Sequence, residues 1–417
     1  MNINYEEVIA LRKAFNSVME RQNLNFMKDL SDMRQSLKVS RELCVGNEKL
    51  LRLSIKNLTN SGIEVYHIKE RQDTIDFILQ EIGHEKLIVK SKSNVTKEIE
   101  LTKTLEKKGI DVVETDIGDR ILQILDAHPS HPTGPIAHLS AKDIAKGLSI
   151  YYKTSIKGNP DEIVKIVKDD IISSINKAKI GITGANAIAA DEGSILITHN
   201  EGNIQEVIRK DKCIIVTSID KIYPNIESAI NMIKILSFNA TGSKMPSFVN
   251  IINGISKTAD VEKKFIKGVH NPSKIILLLI DNKRSELIKR GFKELLQCIG
   301  CGNCLIHCPM YNTIGNQYAI GNYLGGKGIA YYSLYNNLEK NNDKNDDNIN
   351  NNDTNKKLGL CLTCGKCKEN CPLELDIPEI IKKIRSKGIS EDIYYFLKSH
   401  LIWAYYQTLL KSKMSIR

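Results

Sequence analysis

The sequence predicts an α/β domain on a mostly parallel sheet, followed by a smaller unit organised around cysteine. Three observations carry this prediction. Residues 61–285 alternate between strand-like apolar runs and amphipathic helical segments, the pattern of a sheet whose strands are joined by helical crossovers. Eight of the ten cysteines lie after residue 295, in two copies of one spacing. At 417 residues the chain is long for one core, so two or three folding units are expected.

Residues 1–60 read as a helical arm. Val8, Leu11, Phe15 and Val18, then Met27, Leu30, Met33 and Leu37, recur at helical spacing over 4–40. Such a segment is not stable alone and should pack on the following domain, as an arm or a lid. The spacing then predicts a strand at 63–68, a helix at 73–82, a strand at 86–90, a helix at 96–107 stopped by Gly109, and a strand at 110–113. A second set follows: helix 160–177, strands 180–183, 194–198 and 213–218, and helix 226–236. No G-x-G-x-x-G turn follows the first strand, so a dinucleotide site is not supported. Cys213, inside an apolar run, reads as a buried core thiol. The cysteine-bearing unit covers 290–385, with its motifs between 295 and 384. Its connection is partly helical over 323–338, and 336–357, dominated by Asn, Asp and Lys, is too polar to bury a core and reads as a disordered insertion. Residues 386–417, with Trp403 and several tyrosines, read as a packed terminal helix.

The cysteine runs are Cys298-x2-Cys301-x2-Cys304-x3-Cys308-Pro309 and Cys361-x2-Cys364-x2-Cys367-x3-Cys371-Pro372. Three thiolates two residues apart wrap one iron–sulfur cube, and the fourth, before proline, reaches the other cube. The inferred sets are Cys298, Cys301, Cys304 and Cys371 on one [4Fe–4S] cluster, and Cys361, Cys364, Cys367 and Cys308 on the second. A zinc knuckle has no place for the third cysteine of such a run, and thiols this dense are poor candidates for structural disulfides. Two [4Fe–4S] clusters make the chain an electron carrier, or the electron-carrying part of something larger.

The formal charge of +10 is spread along the chain and interleaved with acids, without a basic block carrying aromatics, so nucleic acid is not an expected partner. Eight thiolates and two cubes bring the holoprotein to roughly +6. The apolar run at 275–280 is too short to span a bilayer and no transmembrane segment is expected. Without an apolar leader at the N-terminus, the expected location is the cytoplasm, where thiolates stay reduced.

Several motifs in order resemble a known family. They are Val89-Lys90-Ser91-Lys92-Ser93, Val113-Glu114-Thr115-Asp116, Pro129-Ser130-His131 through His138, and Ile182-Thr183-Gly184-Ala185-Asn186. They continue with Asp191-Glu192-Gly193-Ser194, Asn200-Glu201-Gly202-Asn203, Ala240-Thr241-Gly242, Asp281-Asn282-Lys283-Arg284-Ser285 and the first cysteine run. From about residue 60 to 380 the chain resembles the lactate utilization protein B family, a LUD domain fused to a two-[4Fe–4S] ferredoxin-like domain. The resemblance implies a LUD fold like that of ribose-phosphate isomerase and CoA-transferases, then a mostly helical two-cluster ferredoxin domain. It also implies a role in oxidation of L-lactate or a related 2-hydroxy acid. The implied partners are a cysteine-rich-domain redox subunit and a second LUD-domain subunit. The family's further C-terminal region is largely missing here, and the Asn-rich insertion is unusual for it.

The LUD domain offers candidate ligand contacts but no assigned catalytic residue. Asn200, Glu201, Gly202 and Asn203 form a turn after a strand, where open α/β sheets gather ligands; the alternative is that they only shape the turn. The CoA-transferase likeness would make Glu201 a nucleophile. Thr183, Gly184 and Asn186 form a second strand-end turn suited to a small anion. Lys90 and Lys92 precede a helix start and would neutralise a carboxylate or phosphate, or lie on a solvated face. His131, with His128 and His138 among prolines, lacks zinc spacing and reads as ligand contact or loop packing. The reading is an iron–sulfur electron-transfer subunit of a multi-subunit oxidoreductase with substrate chemistry on a partner. The alternative is a LUD domain that itself binds or converts a CoA thioester or phosphorylated small molecule, the clusters being accessory.

Overall fold

The computed structural model describes residues 3–25, 27–340, 351–385 and 389–414. Nine strands enter in order: β1 (Glu64–Ile68), β2 (Leu87–Lys90), β3 (Asp111–Glu114), β4 (Ile180–Thr183), β5 (Ala187–Ala189), β6 (Ser194–His199), β7 (Lys212–Ser218), β8 (Ile222–Tyr223) and β9 (Phe248–Ile252). A small ribbon, β10 (Lys257–Thr258) and β11 (Ile266–Lys267), leads to β12 (Lys274–Ile280). The principal sheet has six strands in the order β1-β12-β7-β4-β2-β3, and every pairing is parallel.

Its central strands are apolar on both faces, as parallel strands covered by helices must be. Ile214, Val216, Ile276 and Leu278 point to one core with Ile75, Ile78 and Ile82 of helix Arg71–Ile82 and with Leu101 and Leu105 of helix Leu101–Lys107. Their neighbours Cys213, Ile215, Leu277 and Leu279 point the other way, against Leu51 and Leu58 of helix Glu48–Asn60 and the second sheet. Cys213 is thus the core thiol expected. Helices Ala141–Tyr152 and Pro160–Lys177 cover Val89 and Val113 of β2 and β3.

The structure departs from the sequence reading in five places. The strand expected at 194–198 lies outside the parallel sheet, as β6 of a four-stranded sheet ordered β8-β5-β6-β9, antiparallel to both neighbours. Residues 275–280, noted only as too short for a membrane, form the buried strand β12. The helix expected at 96–107 is two, broken at Glu100, which takes a left-handed conformation. The single helix expected over 4–40 is two, Tyr5–Leu24 and Leu30–Cys44, because the side chain of Asn25 turns to the Gly242 carbonyl at 2.9 Å. The tract 336–357, expected to lack structure throughout, is helical at both ends. Helix Gly325–Lys340 buries Asn336, and helix Asn351–Leu358 buries Thr354; residues 341–350 lie outside those described.

After β12 the described chain is mostly helical, with one two-residue ribbon. The N-terminal arm is the clasp that holds this region to the sheet domain. Gln22 reaches the carbonyls of Phe238 and Asn239 and the side chain of Asn303, which precedes Cys304. Arg41, fully buried, donates to the carbonyls of Asp220, Leu296 and Gln297, so the segment entering Cys298 is tied to the end of β7. The C-terminal helix Ile389–Met414 packs through Ile402, Trp403 and Tyr406, with Gln407 donating to Thr313 at 2.7 Å. No helix among the described residues is long and apolar enough to cross a membrane.

Candidate functional site: a two-run cysteine centre against the sheet crevice

The two cysteine runs fold as near copies. Each has two left-handed residues: Gly300 and Gly302 in the first, Thr363 and Gly365 in the second. Each then starts a four-residue helix, Asn303–Ile306 and Lys366–Glu369. In both runs a backbone N–H folds back on the first sulfur at 3.4 Å, from Gly300 to Cys298 and from Thr363 to Cys361. Asn303 joins the loops by donating to the Asn370 carbonyl at 2.7 Å.

The fourth cysteine of each run sits among the thiols of the other. Cys308 lines one cavity with Cys361, Cys364 and Cys367, walled by Pro309, Tyr318 and Ile377. Burial pushes the Cys308 thiol up to about 12, and Cys361 and Cys364 add to the shift. Cys301 is likewise raised, by burial first and then by Cys298 and Cys371. Cys304 is raised by burial and by Cys298, Cys301, Cys367 and Cys371. Buried thiols crowded in this way hold their protons unless cationic iron displaces them. Among the described residues no three Cys, His, Asp or Glu side chains converge as ligands of a single ion. Four thiols around one apolar cavity, and Cys298, Cys301, Cys304 and Cys371 within electrostatic range of one another beside it, with a backbone N–H on the first sulfur of each run, fit a pair of four-iron cubes. The centres differ in exposure: Cys364 is exposed, whereas Cys301 is buried.

The first cysteine loop faces the sheet domain. In the order β1-β12-β7-β4-β2-β3 the chain runs from β2 outward to β3 and returns to β4 on β2's other side. A crevice opens where strand order reverses in this way, at the carboxyl ends of β2 and β4. Lys92, Ser93, Gly184, Asn186, Asn200, Glu201 and Asn203 line it, and Ile299 and Gly300 form its roof. Gly184 is required there, because a Cβ would come within 2.5 Å of the Ser93 hydroxyl.

At one wall Lys92 donates to Asp116 at 2.8 Å and to the Thr133 carbonyl at 3.1 Å. Asp116 also bonds the Glu201 carboxyl, which accepts from the Ile117 amide at 3.1 Å. Although Glu201 as a residue is exposed, its carboxyl is pushed up to about 7, by desolvation first and then by Asp116. Asn203 reaches Thr115 at 3.2 Å, and Asn200 accepts from the Ser247 amide at 2.9 Å. On the far side stands Lys221, which also lines an adjoining lobe with Cys298 and Cys304. Burial lowers its ammonium, opposed by Asp220.

Four expected contacts do not line the crevice. Lys90 is fully buried in an ion pair with Glu114 at 2.9 Å, closed by Thr102, so its charge is spent inside the domain. Thr183 is buried behind the turn, bonded to Ser91 at 2.6 Å. Gly202 supplies a left-handed N-cap to helix Asn203–Ile208. His131 faces the first cysteine loop: its Nδ1 accepts from Thr133, and its Nε2 lies where a Cβ on Gly302 would come within 2.2 Å. His128 and His138 line two other cavities, so the three histidines form no cluster. Lys221 was invisible in the sequence, because nothing marks a lone lysine after an apolar strand until the fold brings it to the cysteines.

Residues 51–280 match the LUD domain model and residues 294–375 the 4Fe-4S dicluster domain model. Lactate utilization protein B of Lysinibacillus sphaericus is 30% identical over 335 residues, covering 79% of this chain and 66% of that protein. Lactate utilization protein B of Bacillus cytotoxicus is 30% identical over 348 residues, covering 82% and 68%. The chain thus spans about two thirds of the length of the curated relatives it matches. A solved structure described as a DUF162 family protein from Deinococcus radiodurans aligns with TM-score 0.31 and 13% identity, over 56% of this chain and 96% of that one. With a LUD domain over more than half its length and a dicluster domain behind it, the chain belongs to the lactate utilization protein B family.

Proposed function

We propose that this chain is the iron–sulfur electron-transfer subunit of a multi-subunit oxidoreductase that oxidises L-lactate, or a related 2-hydroxy acid, to the 2-oxo acid. The observation that carries the reading is the interleaving of the two cysteine runs, each completed by the other's fourth thiol. Cys298, Cys301, Cys304 and Cys371 would hold one [4Fe–4S] cluster, and Cys361, Cys364, Cys367 and Cys308 the second. Bound there, the clusters would supply single-electron carriage. The protein's part is to fix the two sets of sulfurs side by side, exclude water with Leu305, Met310 and Ile377, and aim backbone N–H groups at sulfur. Exposed Cys364 marks the side for exchange with a cysteine-rich-domain subunit, and buried Cys301 the inner end, beside the LUD crevice. The names of the relatives support lactate as the pathway's substrate. A second LUD subunit and a cytoplasmic location complete the reading.

Anaerobic affinity purification tests it: the chain should co-purify with a cysteine-rich redox subunit and carry about eight iron and eight sulfide. Cys371→Ser should damage the cluster of the first run. Loss confined to the cluster of the second run would refute the crossed ligation, and a chain without iron would refute the function.

A further inference from the structure

We propose that Arg34, on the N-terminal arm, is the cationic hydrogen-bond donor facing the first cluster and raises its reduction potential. The inference rests on the function proposed above only in taking Cys298, Cys301, Cys304 and Cys371 to hold a [4Fe–4S] cluster. Substrate and partner subunits do not enter it.

One face of helix Leu30–Cys44 lies along this centre. Arg34, Lys38 and Arg41 follow one another at i, i+4 and i+7, so their side chains share that face. Each is anchored beside a ligand of the first set. Arg41 donates to the carbonyl of Gln297, the residue before Cys298. Lys38 pairs with Glu374, just after Cys371, at 2.5 Å. Arg34 donates through Nη2 to Asn239 Oδ1 at 3.3 Å, and the same oxygen accepts from Asn303, the residue before Cys304. Asn303 in turn holds the carbonyl of Asn370, the residue before Cys371. The helix therefore touches the flanks of three of the four ligands.

Within that face the Nε of Arg34 is sealed from water and meets no acceptor, and among the described residues no other arginine or lysine nitrogen is left in that state. A charged donor buried without a partner costs more than a neutral one. The other cations near the cysteines are engaged. Arg41 and Arg385 donate to backbone carbonyls, Lys221 faces the Asp220 carboxylate, and Lys327 lies over the Tyr331 ring. Burial lowers the Arg34 guanidinium from its ordinary value, opposed by Cys301 and Cys371 ahead of Glu374. Two ligands of the first set are thus its strongest favourable partners. Ligand and cluster sulfurs carry negative charge and accept hydrogen bonds, which is what this N–H lacks.

One-electron reduction adds a negative charge to a cluster. A fixed cation beside it, screened little because it is shut off from water, stabilises the reduced form and so raises the potential. The arm is then part of the redox centre as well as its clasp.

The test is a mediated anaerobic redox titration followed by EPR, on holoprotein of verified iron content. The signal that Cys298→Ser perturbs identifies the first cluster. Arg34→Met should lower that cluster's midpoint by the equivalent of about tenfold or more in the reduction equilibrium, about 59 mV for one electron, and leave the second cluster nearly unmoved. Arg34→Lys, which keeps the charge, should retain more than half of the wild-type advantage. Lys38→Met removes a charge from the same face, but one that is exposed and already paired, and should shift the first midpoint by less than about threefold. An unmoved first midpoint in Arg34→Met, equal shifts of both clusters, no recovery in Arg34→Lys, or an equal fall in Lys38→Met would overturn the proposal. Should Arg34→Met lose iron from the first site, Arg34→Gln, which is neutral and keeps N–H donors, is titrated in its place and judged by the same outcomes. Mediators replace the partner subunit, so a wrong substrate or partner leaves the result standing. Iron-free wild type refutes the proposed function, whereas two intact clusters with an unmoved midpoint refute the role of Arg34 alone.

Discussion

Gly302 and Gly365 occupy matching places in the two cysteine runs, and the pair allows a controlled perturbation. Their φ angles are +75° and +77°, so alanine at either position must adopt a left-handed backbone, at about 1–2 kcal/mol. Their surroundings differ. The nearest atom to a Cβ at Gly365 is the Glu369 carboxylate at 4.0 Å, a flexible exposed group, whereas at Gly302 it is His131 Nε2 at 2.2 Å. His131 has nowhere to go: it is buried, held at Nδ1 by Thr133 at 3.0 Å, and packed edge-on against Phe15 at 5.7 Å. Overpacking of this kind adds about 1–3 kcal/mol. Gly365→Ala should therefore cost about 1–2 kcal/mol and Gly302→Ala about 2–5 kcal/mol. Anaerobic urea titrations followed by cluster absorbance would compare the two within one protein, so that the denatured state is nearly common to both. The excess at Gly302 should shrink when His131→Ser is added, as an interaction energy between contacting residues. Equal costs for the two alanines, or an excess that survives His131→Ser, would refute the view that the first loop is seated on the LUD domain through this histidine.

Three further outcomes are expected. Arg41→Met leaves the carbonyls of Asp220, Leu296 and Gln297 without their donor and should destabilise the holoprotein by about 3–5 kcal/mol, seen as a lower urea midpoint. Asp220, buried beside Arg284, is held well below the usual carboxylate range; its stabilisation is complete above the unfolded value of about 3.9 and is lost as pH falls towards the folded one. Asp220→Asn should flatten the acid limb of the stability–pH curve measured by urea titration, and an unchanged limb would count against the pairing. Glu201→Gln should leave chemical reduction of the clusters unchanged and lower complex activity by less than about tenfold.

The cysteine chemistry was legible because cluster ligation is written in spacing: three thiols two residues apart leave little geometric freedom. Strands β1 to β4 and β7 were legible because turns and amphipathic helices flank them. β12 was not, since a short run apolar on both faces looks the same in a buried strand and a buried helix. β6 was found as a strand but not placed, because pairing partners distant in sequence leave no local mark. The same limit governs the crevice. Lys92, Gly184, Asn186 and Glu201 sit in strand-end turns that advertise themselves, while Lys90 occupies an equally suggestive position and turns inward to Glu114. Lys221 matters only through what the far half of the chain brings to it.

Interleaved ligation also makes the polypeptide between the runs dispensable as a tether. Cys308 lies among the sulfurs of the second run and Cys371 among those of the first, so iron would join the halves at two points whatever connects them. A chain cut between residues 341 and 350 should travel as one particle and keep about its full iron and sulfide content. The length and composition of that connection are then free to drift between relatives without disturbing the wire.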